Sequence, residues 1–238
     1  MSYSRCFETD FISLNNDFSV TFPRLMNYAQ EASLLHPASL GRPLEWFRNE
    51  NRGWLVISWH VKVGSYPAWN SPIKVTTWPS RFKGFLGERA FTISEGENRP
   101  FFEACSRWIF SDIEKKTPVR MSAEEVAFYG EIAPPVFDAD FSIPQYSNMP
   151  QIAETVITVS RRDIDTNFHA NNVKYIEWAM ELFPLSFNGK FSEFKASYRK
   201  ECVFGDEVKI SLYEISPDEW AAAFYKEETL VNEMYFKA

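Results

Sequence analysis

The sequence has no apolar segment long enough to cross a membrane. Its longest uninterrupted apolar run covers only residues 220–225, whereas a membrane-spanning helix needs about 18 residues or more. The first ten residues show neither a basic region that leads into an apolar segment nor an Arg- and Ser-rich composition. We therefore exclude an integral membrane protein and, since no targeting signal is recognisable, expect a cytoplasmic protein.

Cysteine is scarce, and acidic residues outnumber basic ones. The three cysteines, Cys6, Cys105 and Cys202, are too few and too dispersed for a disulfide framework or a structural zinc site, and we expect no metal and no cofactor. The net charge of -7 argues against a general nucleic-acid-binding protein, because such proteins usually present a basic surface. A local basic patch for an acidic partner remains compatible with this charge.

Aromatic residues, in contrast, are abundant. They make up 17% of the 238 residues, with 22 Phe, 10 Tyr and 8 Trp. That much ring area requires a thick core, an apolar ligand channel or a large interface.

One order of predicted elements occurs twice along the chain. In the first copy a helix is predicted over residues 23–35, with Thr21 as its cap, because apolar residues recur there at helical spacing. Turn-forming residues, including the segment 79–84, separate the strands that follow. These strands are predicted over residues 54–63, 73–78, 88–93 and 101–110.

The second copy begins with a strand over residues 153–160, which is followed by a helix over residues 172–183. When the first copy is shifted by 148 residues along the sequence, its helix aligns with the helix of the second copy and Asp17 aligns with Asp165. Further along, a shift of 135 residues aligns strand residues 73–75 with residues 208–210. Four further strands are predicted over residues 194–202, 207–215, 220–227 and 230–237.

This repeated order predicts an α+β protein with a tandem, or double, hot-dog fold, in which two curved antiparallel sheets each wrap around a long helix. Residues 1–120 would form the N-terminal domain and residues 151–238 the C-terminal domain. We interpret the proline-rich residues 121–150 as the connection between them, because a long irregular segment is uncommon inside one compact domain.

The densest polar cluster, residues 161–172, lies between the predicted strand and helix of the second copy. Its Asp165, Asn167 and His169 are spaced by two, so in extended backbone their side chains leave on the same face. Together with the N–H groups of the helix start, they could supply a base and donors to an oxyanion. The alternative is helix capping, for which Asp and Asn are also favoured.

Two comparisons favour chemistry over capping. The chain has only three histidines, and we interpret His36 as a helix-end or core residue and His60 as a packed strand residue. In the first copy, residues 17–21 take the place of residues 165–169 and keep the acid but lack the amide and the imidazole. We therefore expect one catalytic copy and one that is structural or shapes the substrate site.

Residues 162–178, with the sequence RDIDTNFHANNVKYIEW, resemble the signature of acyl-acyl carrier protein thioesterases. Residues 198–202, YRKEC, resemble a second patch of that family. Further similarities lie in the N-terminal half, at residues 30–36, 54–59, 76–79 and 106–108. Plant members carry a plastid-targeting extension, and we expect a relative of the bacterial members because none is recognisable here. The resemblance implies hydrolysis of fatty acyl-carrier thioesters, which ends chain elongation in fatty acid biosynthesis.

The resemblance also implies the catalytic residues, namely Asp165, Asn167, His169 and, as the later acid, Glu201. Cys202 matches the cysteine of the second patch and is the weaker candidate, because water activation needs no thiol. In a regular strand Glu201 and Cys202 face opposite sides, with Cys202 toward the helix. A bulge or a frayed strand end would be needed to re-aim Glu201, and either Glu201 or Asp165 could serve as base or nucleophile.

The implied partner is acyl carrier protein (ACP) with a fatty acyl phosphopantetheine. Because that protein is acidic like this one, attraction must come from a local basic patch. Candidates near the two motifs are Arg161, Arg162, Lys174, Lys195, Arg199 and Lys200. Alternative functions are a tandem hot-dog acyl-CoA thioesterase, a silent acyl-binding protein, and a hot-dog dehydratase or hydratase. The oligomeric state stays open, with a homodimer as one option.

Overall fold

The computed structural model describes residues 1–238. Its helices are α1 (Phe22–Ser39), α2 (Leu44–Asn49), α3 (Ala123–Phe128) and α4 (Asn172–Met180). Its strands are β1 (Tyr3–Glu8), β2 (Arg52–Val63), β3 (Pro72–Lys83), β4 (Leu86–Glu95), β5 (Phe102–Asp112), β6 (Thr117–Pro118), β7 (Gln151–Thr158), β8 (Glu193–Tyr198), β9 (Glu207–Ser216), β10 (Glu219–Lys226) and β11 (Thr229–Lys237). No helix combines the length and the apolar character needed to cross a bilayer.

All strands belong to one antiparallel sheet, whose order is β1-β3-β4-β5-β2-β8-β11-β10-β9-β7, with β6 added to β5. Pairing between β2 and β8, from Ser58 opposite Ser197 to Lys62 opposite Glu193, joins the two halves edge to edge. The two sheets expected from the sequence are therefore continuous. Helices α1 and α4 lie against the sheet in one shared apolar core and contact each other, which confirms the double hot-dog arrangement.

Several element boundaries differ from the sequence prediction; strand β8, for example, ends at Tyr198 instead of residue 202. Helix α1 continues through the buried Pro37 to Ser39, although proline has no N–H to donate to the carbonyl four residues earlier. Helix α4 ends at Met180, before Pro184, and residues preceding proline disfavour helical backbone. Strand β3 runs through the predicted turn to Lys83, because a bulge between Pro79 and Arg81 accommodates the proline.

Within the connecting residues 121–150, residues 134–146 cross the outer face of the sheet, whereas Tyr129 contacts His36 of α1. Ser122 and Glu125 form a capping box that starts α3, and the following chain is held by hydrogen bonds to outward-facing side chains. These run from Trp78 Nε1 to the Pro134 carbonyl, from Cys105 Sγ to the Phe137 carbonyl, from Asp140 N to His60 Nδ1, and from the Tyr146 hydroxyl to Glu233. The connection is thus anchored on strands of both halves.

Candidate active site

Residues 165–169 form a tight turn immediately before α4. The Asp165 N–H donates to the His169 carbonyl over 2.8 Å, and Asp165 Oδ1 accepts the N–H groups of Asn167 and His169 over 2.8 and 3.3 Å. Phe168 takes a left-handed conformation with φ of 64°. The expectation of an extended segment with three side chains on one face is therefore wrong, since the Asp165 side chain closes a turn instead.

The first half contains the same turn, but in a register that differs from the predicted one. Asn15 N–H donates to the Ser19 carbonyl over 2.7 Å, and Phe18 has φ of 63°. Asn15, Asp17 and Ser19 thus correspond to Asp165, Asn167 and His169, with an offset of 150 residues instead of 148. The first copy still has no imidazole, so the expected contrast between the copies is unchanged.

Glu201 reaches His169 because β8 ends irregularly. The N–H groups of Arg199 and Lys200 both donate to the Val231 carbonyl, which is the double donation of a bulge. Beyond it, Val203 pairs with His169 in an isolated bridge. His169 Nε2 lies 3.2 Å from Glu201 Oε2, so the bulge required by the sequence argument is present.

Lys116 is a further site residue that the sequence analysis missed. It lies in the turn between β5 and β6 of the N-terminal half, and its ammonium contacts Glu201 Oε1 directly. A lysine in a polar turn carries no sequence signal of such a contact, because only the packing of the two halves brings Lys116 to Glu201. The Glu201 carboxylate is consequently placed between an imidazole and an ammonium.

Cys202 lies inside the core and points away from this pair. Its side chain is fully buried next to the Tyr175 hydroxyl, and burial raises the pKa of the thiol above its ordinary value. A thiol nucleophile needs a lowered pKa and access to substrate. The structure thus agrees with the expectation that Cys202 is a packed residue.

The helix start offers fewer free donors than the sequence suggested. The Val173 N–H is capped by Asn171 Oδ1 over 2.9 Å, and the Lys174 N–H donates to the Asn171 carbonyl. The Asn167 side chain, in contrast, is exposed and makes no hydrogen bond within the protein. Its amide is therefore the better placed group for polarising a carbonyl oxygen.

A cavity of about 350 Å³ connects this turn with the interior of the N-terminal half. Thr166, Asn167 and Phe168 line it at the turn. Much of the remaining wall is apolar and comes from α1, α2 and the N-terminal strands, including Leu34, Leu44, Phe47, Trp54, Phe82 and Trp108. Cavities of this size and lining take small-molecule ligands.

The six basic residues suggested for carrier docking occupy different environments. Arg161, Arg162 and Lys200 are exposed and form no ion pair. Lys174 pairs with Glu177, and the half-exposed Arg199 pairs with Glu233. Lys195 does not belong to the set: it is buried on the outer face of the sheet, where its ammonium lies 2.7 Å from Asp140 beneath the connecting segment.

Two family models together match most of the chain. Residues 1–129 match the model of the acyl-ACP thioesterase N-terminal domain, and residues 146–233 match that of the C-terminal domain. The chain belongs to the acyl-ACP thioesterase family. Because the C-terminal family model covers the turn, His169 and Glu201, the site described above lies within the shared region.

Two plant relatives illustrate the similarity. The chain is 29% identical over 231 residues to a chloroplastic dodecanoyl-[acyl-carrier-protein] hydrolase of Cinnamomum camphora, an alignment that covers 90% of this chain and 59% of the relative. It is 29% identical over 217 residues to a chloroplastic palmitoyl-acyl carrier protein thioesterase of Gossypium hirsutum, and this alignment covers 84% of this chain and 52% of the relative. The chain therefore spans only between half and three fifths of the length of these relatives.

Solved structures support the fold. An acyl-ACP thioesterase from Bacteroides thetaiotaomicron superposes with a TM-score of 0.87 at 20% identity, covering 99% of this chain and 97% of that one. The 12:0-ACP thioesterase of Umbellularia californica superposes with a TM-score of 0.87 at 21% identity, covering 99% of this chain and 96% of that one. At these identities the comparison establishes the double hot-dog architecture alone.

Proposed function

We propose that this protein hydrolyses fatty acyl-ACP thioesters and releases free fatty acid and the carrier thiol. The observation that carries the proposal is the His169–Glu201 pair, with 3.2 Å between Nε2 and Oε2, next to a turn that lines a largely apolar cavity. A carboxylate and an imidazole in contact can move a proton, and the cavity can hold an acyl chain.

In the proposed reaction Glu201 accepts a proton from water while the water oxygen forms a bond to the thioester carbonyl carbon. The Asn167 amide donates to the carbonyl oxygen as negative charge develops there. The C–S bond then breaks, and the proton is relayed through His169 to the leaving sulfur. The acid product loses the second water proton to solvent. Asp165 holds His169 and Asn167 through their N–H groups.

The substrate is proposed to place its acyl chain in the N-terminal half and its thioester at the turn of the C-terminal half. This division supports a substrate-shaping role for residues 1–120 and a catalytic role for residues 151–238. The carrier would approach the exposed Arg161, Arg162 and Lys200, which lie beside the two site segments. Cytoplasmic location and homodimer formation stay predictions.

A thiol-release assay tests the proposal with dodecanoyl-, palmitoyl- and oleoyl-ACP, the matching acyl-CoA thioesters and an enoyl thioester. We expect release from the acyl-ACP substrates. Glu201→Gln should lower turnover by about 10²-fold or more, the usual scale for an acid–base group. The matched control Glu228→Gln changes an exposed glutamate in the β10–β11 turn and should have no effect. Preferred cleavage of acyl-CoA, or unchanged turnover in Glu201→Gln, would contradict the proposal.

Narrowing the cavity tests where the acyl chain binds. A Cβ atom at Gly87, which lines the cavity, would lie 2.9 Å from two carbons of the Trp54 ring and force the ring to move. Gly87→Ala should therefore reduce turnover of palmitoyl-ACP more than that of shorter acyl-ACPs. In the control Gly64→Ala the new Cβ meets its nearest atom at 3.8 Å, so chain preference should not change. Equal effects on all chain lengths would place the acyl chain elsewhere.

A further inference from the structure

A buried guanidinium without an acidic partner lies in the wall of the cavity. Arg89, in β4, is only 9% exposed, and no carboxylate lies within ion-pair distance of it. Burial lowers the pKa of Arg89 only to about 10, so the group stays charged at neutral pH. Buried charges in proteins are normally paired, and an apolar residue would fill this position without leaving a charge uncompensated.

The neighbours of Arg89 hold it in place but do not neutralise it. Its Nη1 donates to His36 Nδ1 over 3.0 Å and to the Thr77 hydroxyl over 3.2 Å. Burial and the Arg89 charge lower the pKa of His36 to about 3, so the imidazole is a neutral acceptor. Both contacts use one nitrogen of the guanidinium, and Nε and Nη2 have no hydrogen-bond partner in the protein. That edge can bind two oxygens of one ligand group.

A second donor belongs to a residue whose ring packs near the guanidinium. The Tyr129 ring is close to the guanidinium, at 5.9 Å from its centroid to Arg89 Cζ, and Tyr129 also lines the cavity. The Tyr129 oxygen accepts the Trp54 Nε1–H over 3.0 Å, so its own proton is free for another acceptor. An alkyl chain alone would leave both donors without a partner, which is costly in an apolar cavity.

These donors are remote from the proposed reaction centre. In the sheet, β4 lies three strand positions from β8, the strand that leads to Glu201, which corresponds to about 14 Å at the usual strand spacing of about 4.8 Å. We propose that the cavity accepts an acyl chain that carries an oxygen function away from the thioester, a carboxylate above all, which binds the free edge of Arg89 and the Tyr129 hydroxyl. The inference rests on the proposed function for the orientation of the chain, but the binding of the oxygen function can be measured without turnover.

Calorimetric titration with non-hydrolysable amide analogues of acyl pantetheine tests this directly. The probes are plain acyl chains of three lengths and the matching chains with a terminal carboxylate or hydroxyl. We expect the wild-type protein to bind a terminal carboxylate about 10- to 100-fold more tightly than the plain chain of optimal length, the scale of hydrogen bonds to a charged group. Arg89→Met should abolish this preference and Tyr129→Phe should reduce it. The control Arg81→Met removes an exposed arginine of β3 and should leave the preference intact.

The result separates this inference from the proposed function. Equal binding of plain and oxygenated chains by the wild-type protein would overturn the inference, even if the plain acyl-ACP is hydrolysed rapidly. A preference that survives Arg89→Met would overturn it as well. Arg89-dependent preference without hydrolysis of any thioester would support the inference and reject the proposed function. Preference for the hydroxyl chain over the plain chain, lost in Arg89→Met, would support it and identify a neutral oxygen as the ligand group. If Arg89→Met does not fold, Arg89→Lys can be used instead. Lysine keeps the charge but lacks the paired Nε and Nη2 donors, so the preference for the oxygenated chain over the plain chain should weaken.

Discussion

His169 and Glu201 lie in separate segments of the chain, yet their Nε2 and Oε2 atoms are 3.2 Å apart. The bridge between His169 and Val203 brings them together, and the first half has the equivalent bridge between Ser19 and Ala68. The scaffold of the site is thus present twice, whereas the imidazole and the carboxylate occur in one copy only. This asymmetry leaves the N-terminal half free to form the cavity.

Asp165→Asn should lower turnover by about 10²-fold while the fold is retained. Asparagine can still accept the N–H groups that close the turn, and a lost cap costs only about 0.5–2 kcal/mol. What disappears is the negative charge on the acceptor of the Asn167 and His169 N–H groups, and hydrogen bonds to a charged acceptor hold their donors more firmly than neutral ones. Turnover of acyl-ACP and thermal unfolding should be measured together. Near-wild-type turnover would show that Asp165 only closes the turn.

Cys202→Ala should keep most of the activity, whereas Glu201→Ala should lose it. The Cys202 thiol is buried with a raised pKa, so its removal should reduce the free energy of unfolding by about 1 kcal/mol through lost packing. Steady-state turnover and urea unfolding of both variants provide the check. An inactive Cys202→Ser that folds normally, together with inactivation of the wild type by thiol alkylation, would instead favour a nucleophilic cysteine.

Sequence patterns predicted the repeated elements and the His169 motif because both are local. Because successive side chains of a strand face opposite sides, the sequence predicted that Cys202 lies in the core. The same argument predicted that Glu201 needs a bulge to face the site. Lys116 and Arg89 could not be found in this way, since their roles depend on how distant segments pack. Lys195 was misassigned because sequence proximity to Arg199 does not show that the connecting segment covers one face of the sheet.

The stability of the protein should depend on pH through His36. Burial, together with the Arg89 charge, lowers the pKa of His36 to about 3 in the folded protein, whereas the unfolded value is about 6.5. Between these values the unfolded chain binds a proton that the folded protein does not, so the free energy of unfolding falls as pH decreases. From pH 7 to pH 5 this contribution is about 2 kcal/mol.

His36→Gln removes this titration and keeps an acceptor for Arg89. Urea unfolding at both pH values should therefore show a smaller loss of stability on acidification in the variant than in the wild type. Comparing the two losses cancels any cost of the substitution that does not depend on pH. Equal losses would mean that His36 takes up a proton in the folded protein.

Carrier docking should depend on exposed basic residues that lie next to the site. Arg161 and Arg162 are exposed, form no ion pair and directly precede the Asp165 turn, whereas Lys200 adjoins Glu201 and is less suited to a test. The double variant Arg161→Glu with Arg162→Glu should raise the Michaelis constant for acyl-ACP several-fold. It should leave small uncharged thioesters almost unaffected, because only the carrier is acidic.

The matched control reverses two exposed basic residues of the N-terminal half, Lys83 at the end of β3 and Arg99 between β4 and β5, and should not change the Michaelis constant. The effect of the docking variant should shrink as salt is added, because exposed charges are screened beyond about 8 Å at physiological ionic strength. An equal loss on both substrate types, or an effect that persists at high salt, would mean that Arg161 and Arg162 support the turn instead of binding the carrier.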